Sequence, residues 1–303
     1  MTQPAAAPFA FGTKAETLHA LAPLVQRAVV PELLYFSVEE WRRDRAPLMA
    51  RIAAKFGATP VAVRSSALAE DGALSSNAGA FESRLHVRCD DPASLVAAVE
   101  AVIASMSGNP RDQVLLQAMV SDVAVGGVIM TFDLVHGAPY YCVDFDDESG
   151  RTDGVTSGSG VHKSVFVYRD APEGSVRSPR VALFIQLARE LEALCDCAAL
   201  DIEFGLTRAG ELVLFQVRRI VLARNWHPVT ERRVKRQVAH VAGFIDAYSR
   251  RREGMLGRRT ILAIMPDRNP AEISGTTPRP PPMVPPAPAA FSMTICWPSV
   301  LLI

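Results

Sequence analysis

The chain has 303 residues, 49% apolar and 21% charged, the balance of a soluble globular protein with room for one large domain or two ordinary ones. Thirty-two basic residues cancel 32 acidic ones, so no whole-chain field favours nucleic acid or an anionic membrane. The start lacks a basic stretch leading into an apolar one, and no apolar run free of charge and proline is long enough to span a bilayer, so a soluble, cytoplasmic protein is expected.

In chain order, the first 60 residues read as helices. Thr13-Lys14-Ala15-Glu16 is a capping-box pattern, and Ser37-Val38-Glu39-Glu40 repeats it ahead of Trp41, Met49, Ile52 and Phe56, with a helix break expected at Pro47. Val61-Ala62-Val63 is a short strand running into Arg64-Ser65-Ser66, followed by a Gly/Ser/Ala loop from Gly72 to Gly79 and a strand from Ser83 to Arg88. Asp91 is a good N-cap with Pro92 at the first helical position, and Leu95, Val99, Val102, Ile103 and Met106 form the apolar stripe that follows. Strands are expected over Val114–Val120, Gly127–Phe132, Pro139–Phe145 and Val165–Tyr168, with a polar loop over Asp146–Gly160. Leu183, Leu187, Leu191 and Leu194 mark a helix ending near Asp196. Two strands, Asp201–Leu206 and Glu211–Ile220, join at Ala209-Gly210, and Val234, Val238, Val241, Ile245 and Tyr248 mark an amphipathic, arginine-rich helix. Nine of the 22 prolines lie between Asn269 and Ile303, and no charged residue follows Arg279, so a disordered tail is expected there.

The hairpin carries the most information. With Ala209 and Gly210 as the turn, opposed positions sum to 419, which sets Glu203 opposite Gln216 and Asp201 opposite Arg218. One face then presents Asp201, Glu203, Gln216 and Arg218, while Ile202, Phe204, Val213, Phe215 and Val217 point the other way. A carboxylate beside an amide carbonyl is a pair of hard oxygen ligands suited to Mg²⁺, and an arginine next to them can grip phosphate. The same face could equally be an ordinary solvated strand with one cross-strand ion pair. Arg64-Ser65-Ser66 offers a guanidinium, hydroxyls and backbone N–H groups to phosphate oxygens, and a small polar turn would look the same.

Other residues are less informative. None of the six histidines has metal-ligand spacing, and five cysteines with one C-x-C pair (Cys195, Cys197) do not make a zinc site. Arg224 to Arg259 holds ten Lys/Arg against three Asp/Glu. Aromatic interleaving is sparse there, so a solvated helix face is favoured over a nucleic-acid footprint.

Taken in order, these segments resemble a known family. The run Val61-Ala62-Val63-Arg64-Ser65-Ser66-Ala67-Leu68-Ala69-Glu70-Asp71, then Ala78-Gly79-Ala80-Phe81-Glu82-Ser83, resembles the VRSSATAED…AGQxET signature of the N-terminal nucleotide-binding domain of phosphoenolpyruvate synthase, pyruvate phosphate dikinase and rifampicin phosphotransferase. Gly12-Thr13-Lys14 resembles that family's early GGK, Val114-Leu115-Leu116-Gln117-Ala118-Met119-Val120 its VQxMV strand, and Asp201-Ile202-Glu203 with Leu214-Phe215-Gln216-Val217-Arg218 its DIEW…LQxRP hairpin. Ser83 stands where threonine is usual, and Thr13 replaces the second glycine of GGK.

The resemblance implies an α+β, ATP-grasp fold whose two lobes close on ATP, with a C-terminal helix and a disordered Pro-rich tail. Its divisions would be an N-terminal lobe at 1–112, a C-terminal lobe with the metal-binding hairpin at 113–223, the Arg-rich helix at 224–260, and a linker and tail at 261–303. It assigns Lys14 and Arg64 to the ATP phosphates, Gly79 and Ser83 to the phosphate-side loop, and Gln117 to the adenine-ribose end. Glu203 and Gln216 would hold Mg²⁺, and Arg218 would stabilise the transferring phosphoryl group, with Arg64 and Arg218 the catalytic pair. The implied activity is that of a kinase or phosphotransferase moving a phosphoryl group from Mg-ATP to a histidine. The family carries that histidine in a TSHAA-like motif on a separate domain, and none of the histidines here has that setting, so the partner would act in trans. The change of composition after Pro278 reads as a truncated relative whose frame is lost there. Two further possibilities stand beside this one: a non-catalytic ATP-sensing module or inactive remnant, and a nucleic-acid binder using the Arg-rich helix.

Overall fold

The computed structural model describes residues 9–68, 82–134, 138–148, 163–172 and 174–220, together with shorter stretches within 232–243 and at 293–297 and 300–301. Two sheets organise them. The first has four strands in the order β1 (Leu33–Ser37), β4 (Gln113–Ala118), β2 (Val61–Ser66), β3 (Ser83–Val87), each neighbouring pair antiparallel. The inner strands β2 and β4 are almost wholly buried, which is why their apolar residues run together rather than alternate. Helices α2 (Val38–Arg43), α3 (Arg45–Phe56) and α4 (Pro92–Ser105) cover this sheet, and Trp41, Leu48, Ile52, Leu95, Val99 and Val102 fill the core between.

The second sheet has seven strands, built on β5 (Val123–Met130), β6 (Tyr140–Asp146), β7 (Lys163–Tyr168), β8 (Leu200–Thr207) and β9 (Leu212–Arg219), in spatial order β7-β6-β5-β8-β9 and antiparallel throughout. Helix α5 (Pro179–Cys195) lies against it, contributing Phe184, Leu187 and Leu191 to a core shared with Phe145, Ile202 and Phe204. Within the tail expected to be disordered, the described residues form two short strands: β10 (Met293–Trp297) pairs parallel to β7 and β11 (Val300–Leu301) follows it antiparallel. An uncharged apolar run can add to the open edge that β7 presents. Residues 261–292 lie outside the described residues, as does much of the Arg-rich segment; its described residues within 232–243 are helical, with Lys235 paired to Asp170 at 2.9 Å.

Two elements cross the division expected at residue 112. Strand β4 belongs to the first sheet, while α1 (Lys14–Leu21), earliest in the chain, packs Ala15, Leu18 and Leu21 into the core of the second. The segment after α1 ties the sheets together. Val29 accepts a backbone hydrogen bond from Leu214 and donates one to Leu212 O on the outer edge of β9, and the chain then enters the first sheet as β1.

Several sequence expectations hold at the level of single bonds. The Thr13 capping box is complete, Asp91 caps α4 with Pro92 at its first position, and α5 ends at Asp196 in a left-handed conformation. Pro47 acts three residues earlier than expected. It sits in the first turn of α3, and its ring excludes a helical carbonyl four residues back, at Arg43, where α2 stops. Leu33–Ser37 is a strand within the stretch read as helical.

Candidate functional site

Helix α1 places Lys14 at the start of its first turn, and three contacts fix that start. Glu16 accepts the Thr13 backbone N–H at 3.0 Å, Gln113 donates to Glu16 Oε1 at 2.8 Å, and the Ala15 N–H donates to Ser66 Oγ at 3.0 Å. The last contact couples the helix to Arg64-Ser65-Ser66 at the end of β2. Asp112 holds that turn from the other side: buried, it accepts the Leu68 N–H at 3.0 Å and the Ser107 hydroxyl at 2.9 Å. Neither Asp112 nor Gln113 stood out in the sequence, because their importance arises only when β4 lies between β1 and β2.

The Glu16 carboxyl is held below its ordinary value of 4.5, chiefly by the Thr13 N–H and then by Gln113, with burial working against them. A depressed folded-state value stabilises the fold above the unfolded value, and that contribution is lost as pH falls through the folded one. Glu16→Ala should therefore cost about 1 kcal/mol at pH 7, the usual worth of a cap, with the gap to wild type closing as pH drops below 4.5. Urea midpoints measured from pH 7 to pH 3 check this, and a gap independent of pH would contradict it.

Across from this corner stands the hairpin. Asp201 opposes Arg218 and Glu203 opposes Gln216, as expected. Arg218 pairs with Asp201 at 2.9 Å, and Arg64 reaches over from β2 to Glu203 at 2.8 Å, joining the two sheets through an ion pair whose side chains are only 18% and 15% exposed. Ser83 is the register partner of Arg64 on β3. Lys14 is 6% exposed, and its charge acts on both carboxylates. Burial works to raise Glu203, but Arg64, Lys14 and Arg218 outweigh it and hold its carboxyl below the ordinary value. For Asp201 burial wins, helped by the negative charge of Glu203, and the carboxyl is pushed up despite Arg218 and Lys14. Glu203 is thus the firmer anion of the two.

The hairpin departs from expectation in its turn. Gly210, at φ +85°, donates to Thr207 O at 2.9 Å, and Thr207 in turn donates to Glu211 O at 2.9 Å, so three residues, Arg208 to Gly210, make the reversal. Leu206 pairs with Leu212, Gly205 with Val213 and Phe204 with Leu214; the register then shifts, and Glu203 meets Gln216. The extra residue is Phe215, a β-bulge. Phe215 was expected to face away from the charged residues with Phe204. Instead it lines the same cleft as Glu203.

That cleft, about 220 Å³, lies between the sheets and is lined by Arg64, Ser83, Gln117, Glu203 and Phe215 among others. Gln117 lines it, and Gln216, a second buried amide, stands opposite Glu203 on the hairpin. Gln117 Nε2 and Gln216 Oε1 have no hydrogen-bond partner among the described residues, in side chains only 2% and 1% exposed. An orphaned buried polar atom costs about 1–3 kcal/mol, which a ligand can recover. Of the eight sequence-predicted residues, Arg64, Ser83, Gln117 and Glu203 line the cleft; Gln216 stands opposite Glu203, Arg218 pairs with Asp201, and the charge of Lys14 acts on both carboxylates, while Gly79 lies outside the described residues. No group of three or more His, Cys, Asp or Glu able to hold a metal exists among the described residues. A Mg²⁺ that keeps waters and phosphate oxygens needs less, and the anionic Glu203 beside the unpartnered Gln216 oxygen fits it.

Residues 23–112 match the model of the pyruvate phosphate dikinase AMP/ATP-binding domain. Those residues are similar to that domain. The matched residues include Arg64 and Ser83, while Lys14, Gln117 and the β8–β9 hairpin lie outside them. A stretch of 131 residues is 37% identical to the prodigiosin synthesizing transferase PigC of Serratia marcescens, covering 40% of this chain and 14% of that protein. Solved structures similar to this chain include the VanG D-Ala:D-Ser ligase of Enterococcus faecalis (15% identity, TM-score 0.40, 71% of this chain and 55% of the ligase). A second is the D-alanine-D-alanine ligase of Helicobacter pylori (11% identity, TM-score 0.41, 68% of this chain and 54% of the ligase). The expected α+β class is borne out: helices pack on two sheets, with the cleft between them. No helix among the described residues is long and apolar enough to cross a membrane.

Proposed function

We propose that the cleft binds Mg-ATP and performs the ATP half of a phosphoenolpyruvate synthase-type phosphotransfer, delivering the phosphoryl group to a histidine on a domain or protein acting in trans. The observation that supports this reading is the grouping of three cations, Lys14, Arg64 and Arg218, around the carboxylates of Asp201 and Glu203, beside a cleft lined by Arg64, Gln117 and Glu203. Three positive charges against two negative ones leave an excess suited to a polyphosphate.

The residues divide the work. Lys14 and Arg64 hold phosphate oxygens, and Ser83 adds its hydroxyl beside Arg64. Gly79 belongs to the same phosphate-side loop by resemblance. Glu203 and Gln216 hold the Mg²⁺, which when bound neutralises charge on the phosphate oxygens. Arg218, kept in place by Asp201, faces the charge that builds as a phosphorus–oxygen bond of the ATP chain breaks, the nucleotide oxygen taking the electron pair, and a bond from that phosphorus to an imidazole nitrogen forms. Arg64 would leave Glu203 for the nucleotide when it binds, so the ion pair holds both groups in position beforehand.

Calorimetric titration of the full chain with ATP, with and without Mg²⁺, tests the reading. Mg²⁺-dependent binding followed by transfer to an added phosphohistidine domain is the expected result. Binding without transfer or hydrolysis would reduce the activity to nucleotide sensing, and absence of binding would overturn the proposal.

A further inference from the structure

We infer that Phe215 is the wall on which the base of the nucleotide stacks, placed in the cleft by the β-bulge in β9. This rests on the Mg-ATP reading above and adds to it the residue that recognises the base.

The order of residues along the strands supports it. On the first sheet, Arg64 and Ser83 are register partners and form a polar row. One step along the strands, Ala62 pairs with Gln117, with Leu85 beside them on β3 and then Met119 and Val120 beyond β4. The cleft floor thus passes from charged and hydroxyl groups to small and apolar ones, and Gln117 sets a buried N–H donor without a partner into the apolar part. On the facing sheet the same change occurs between neighbours, from Glu203 to Phe215. A triphosphate-bearing ligand whose charged end meets Arg64 and Glu203 has its flat, nitrogen-rich end between Ala62 and Phe215, within reach of an amide donor.

Local chemistry explains how the ring comes to be there. A regular strand would turn Phe215 into the core beneath the sheet, where Leu214 and Val217 lie. The bulge turns it out instead, and Gly205 makes room: a Cβ at Gly205 would stand 2.8 Å from Phe215 Cε2, closer than van der Waals contact allows. An aromatic ring left half-buried beside a buried orphan donor is arranged for a partner with a π face and a hydrogen-bond acceptor.

The experiment compares two probes, Mg-ATP and Mg-tripolyphosphate, on the wild-type chain and on Phe215→Ala, Phe215→Leu and Phe215→Trp. Loss of stacking should weaken Mg-ATP about tenfold or more in the alanine and leucine variants, since base–aromatic stacking contributes roughly 1–3 kcal/mol. Mg-tripolyphosphate affinity should stay within about twofold, because the phosphate residues are unchanged. Phe215→Trp should keep Mg-ATP affinity and show fluorescence quenching with Mg-ATP that Mg-tripolyphosphate does not produce. Equal losses for both probes, or no loss for Mg-ATP, in a wild type that binds Mg-ATP would overturn the assignment of Phe215 alone. A wild-type chain that binds neither probe would overturn the Mg-ATP reading and this inference together.

Discussion

Glu203→Ala is expected to abolish the Mg²⁺ dependence of ATP binding while leaving Mg²⁺-free ATP affinity the same or higher. Glu203 neutralises Arg64 across the cleft at 2.8 Å, with both side chains mostly buried. On the Mg-ATP proposal, removing the carboxylate frees a guanidinium for phosphate and deletes a charged metal ligand, so the two effects have opposite signs. With Mg²⁺ present the loss should be at least tenfold, as for an interaction with a charged group worth roughly 1.5–3 kcal/mol. Without Mg²⁺ no loss should appear. Titrations with and without the metal separate them, and a variant that keeps its Mg²⁺ stimulation would remove Glu203 from the metal site.

The same substitution has a cost in stability. Taking one partner from a mostly buried ion pair leaves the other charge uncompensated, which is destabilising by about 3–5 kcal/mol in full burial and by less where water reaches the pair, as it does here. Glu203→Gln keeps the shape and a hydrogen-bond acceptor for Arg64, so it should fold more stably than the alanine variant yet still lose the metal effect. Because Arg64, Lys14 and Arg218 hold the Glu203 carboxyl below its ordinary 4.5, its contribution to Mg²⁺ binding should hold steady from neutral pH down to that region and fade below it.

Much of this site could be read from residue order, and the part that could not has identifiable causes. The Thr13 capping box, the Asp91-Pro92 start and the Asp201/Arg218 and Glu203/Gln216 pairs depend on short-range rules, and all occur, while at Ser37 only the N-cap half of the expected box forms. The pairs, however, are reached by two compensating departures. A three-residue turn shifts the register by one and the bulge at Phe215 shifts it back, so the charged pairs stand where a two-residue turn would put them. What the simpler register conceals is the residue between, and Phe215 changes faces as a result. Leu33–Ser37 was hidden because an apolar run without alternation fits a helix as well as a strand, and its pairing with β4 lies far along the chain. Burial of Lys14 was equally hidden. A lysine in a first helical turn is ordinarily solvated, and only the packing of α1 into the second sheet encloses it.

Phe204→Ala should destabilise the fold by about 3–5 kcal/mol, the usual range for truncating a fully buried aromatic residue. Phe204 follows Glu203 on β8, points to the opposite face, and is 1% exposed. Its ring centroid is 4.4 Å from that of Phe184 on α5, and Phe184 in turn meets Phe145 edge-on at 5.8 Å. Gly127 on the neighbouring strand completes the seat, since a Cβ there would lie 2.7 Å from Phe204 Cζ. A cavity at this point has little freedom to collapse, because one wall is strand backbone and the other a helix packed along its length. Against a total stability of about 5–15 kcal/mol the loss is large, and it loosens the strand that carries Glu203 without touching the cleft. Phe204→Leu should cost less, because it refills part of the volume. Urea unfolding gives these values, and repeating it with Mg-ATP separates core from site. If the chain binds Mg-ATP as proposed, ligand at about a hundred times its dissociation constant should restore roughly 2.7 kcal/mol to the wild type and to both variants alike. A Phe204→Ala protein as stable as wild type would mean that β8 is held by its backbone ladder and not by this aromatic stack.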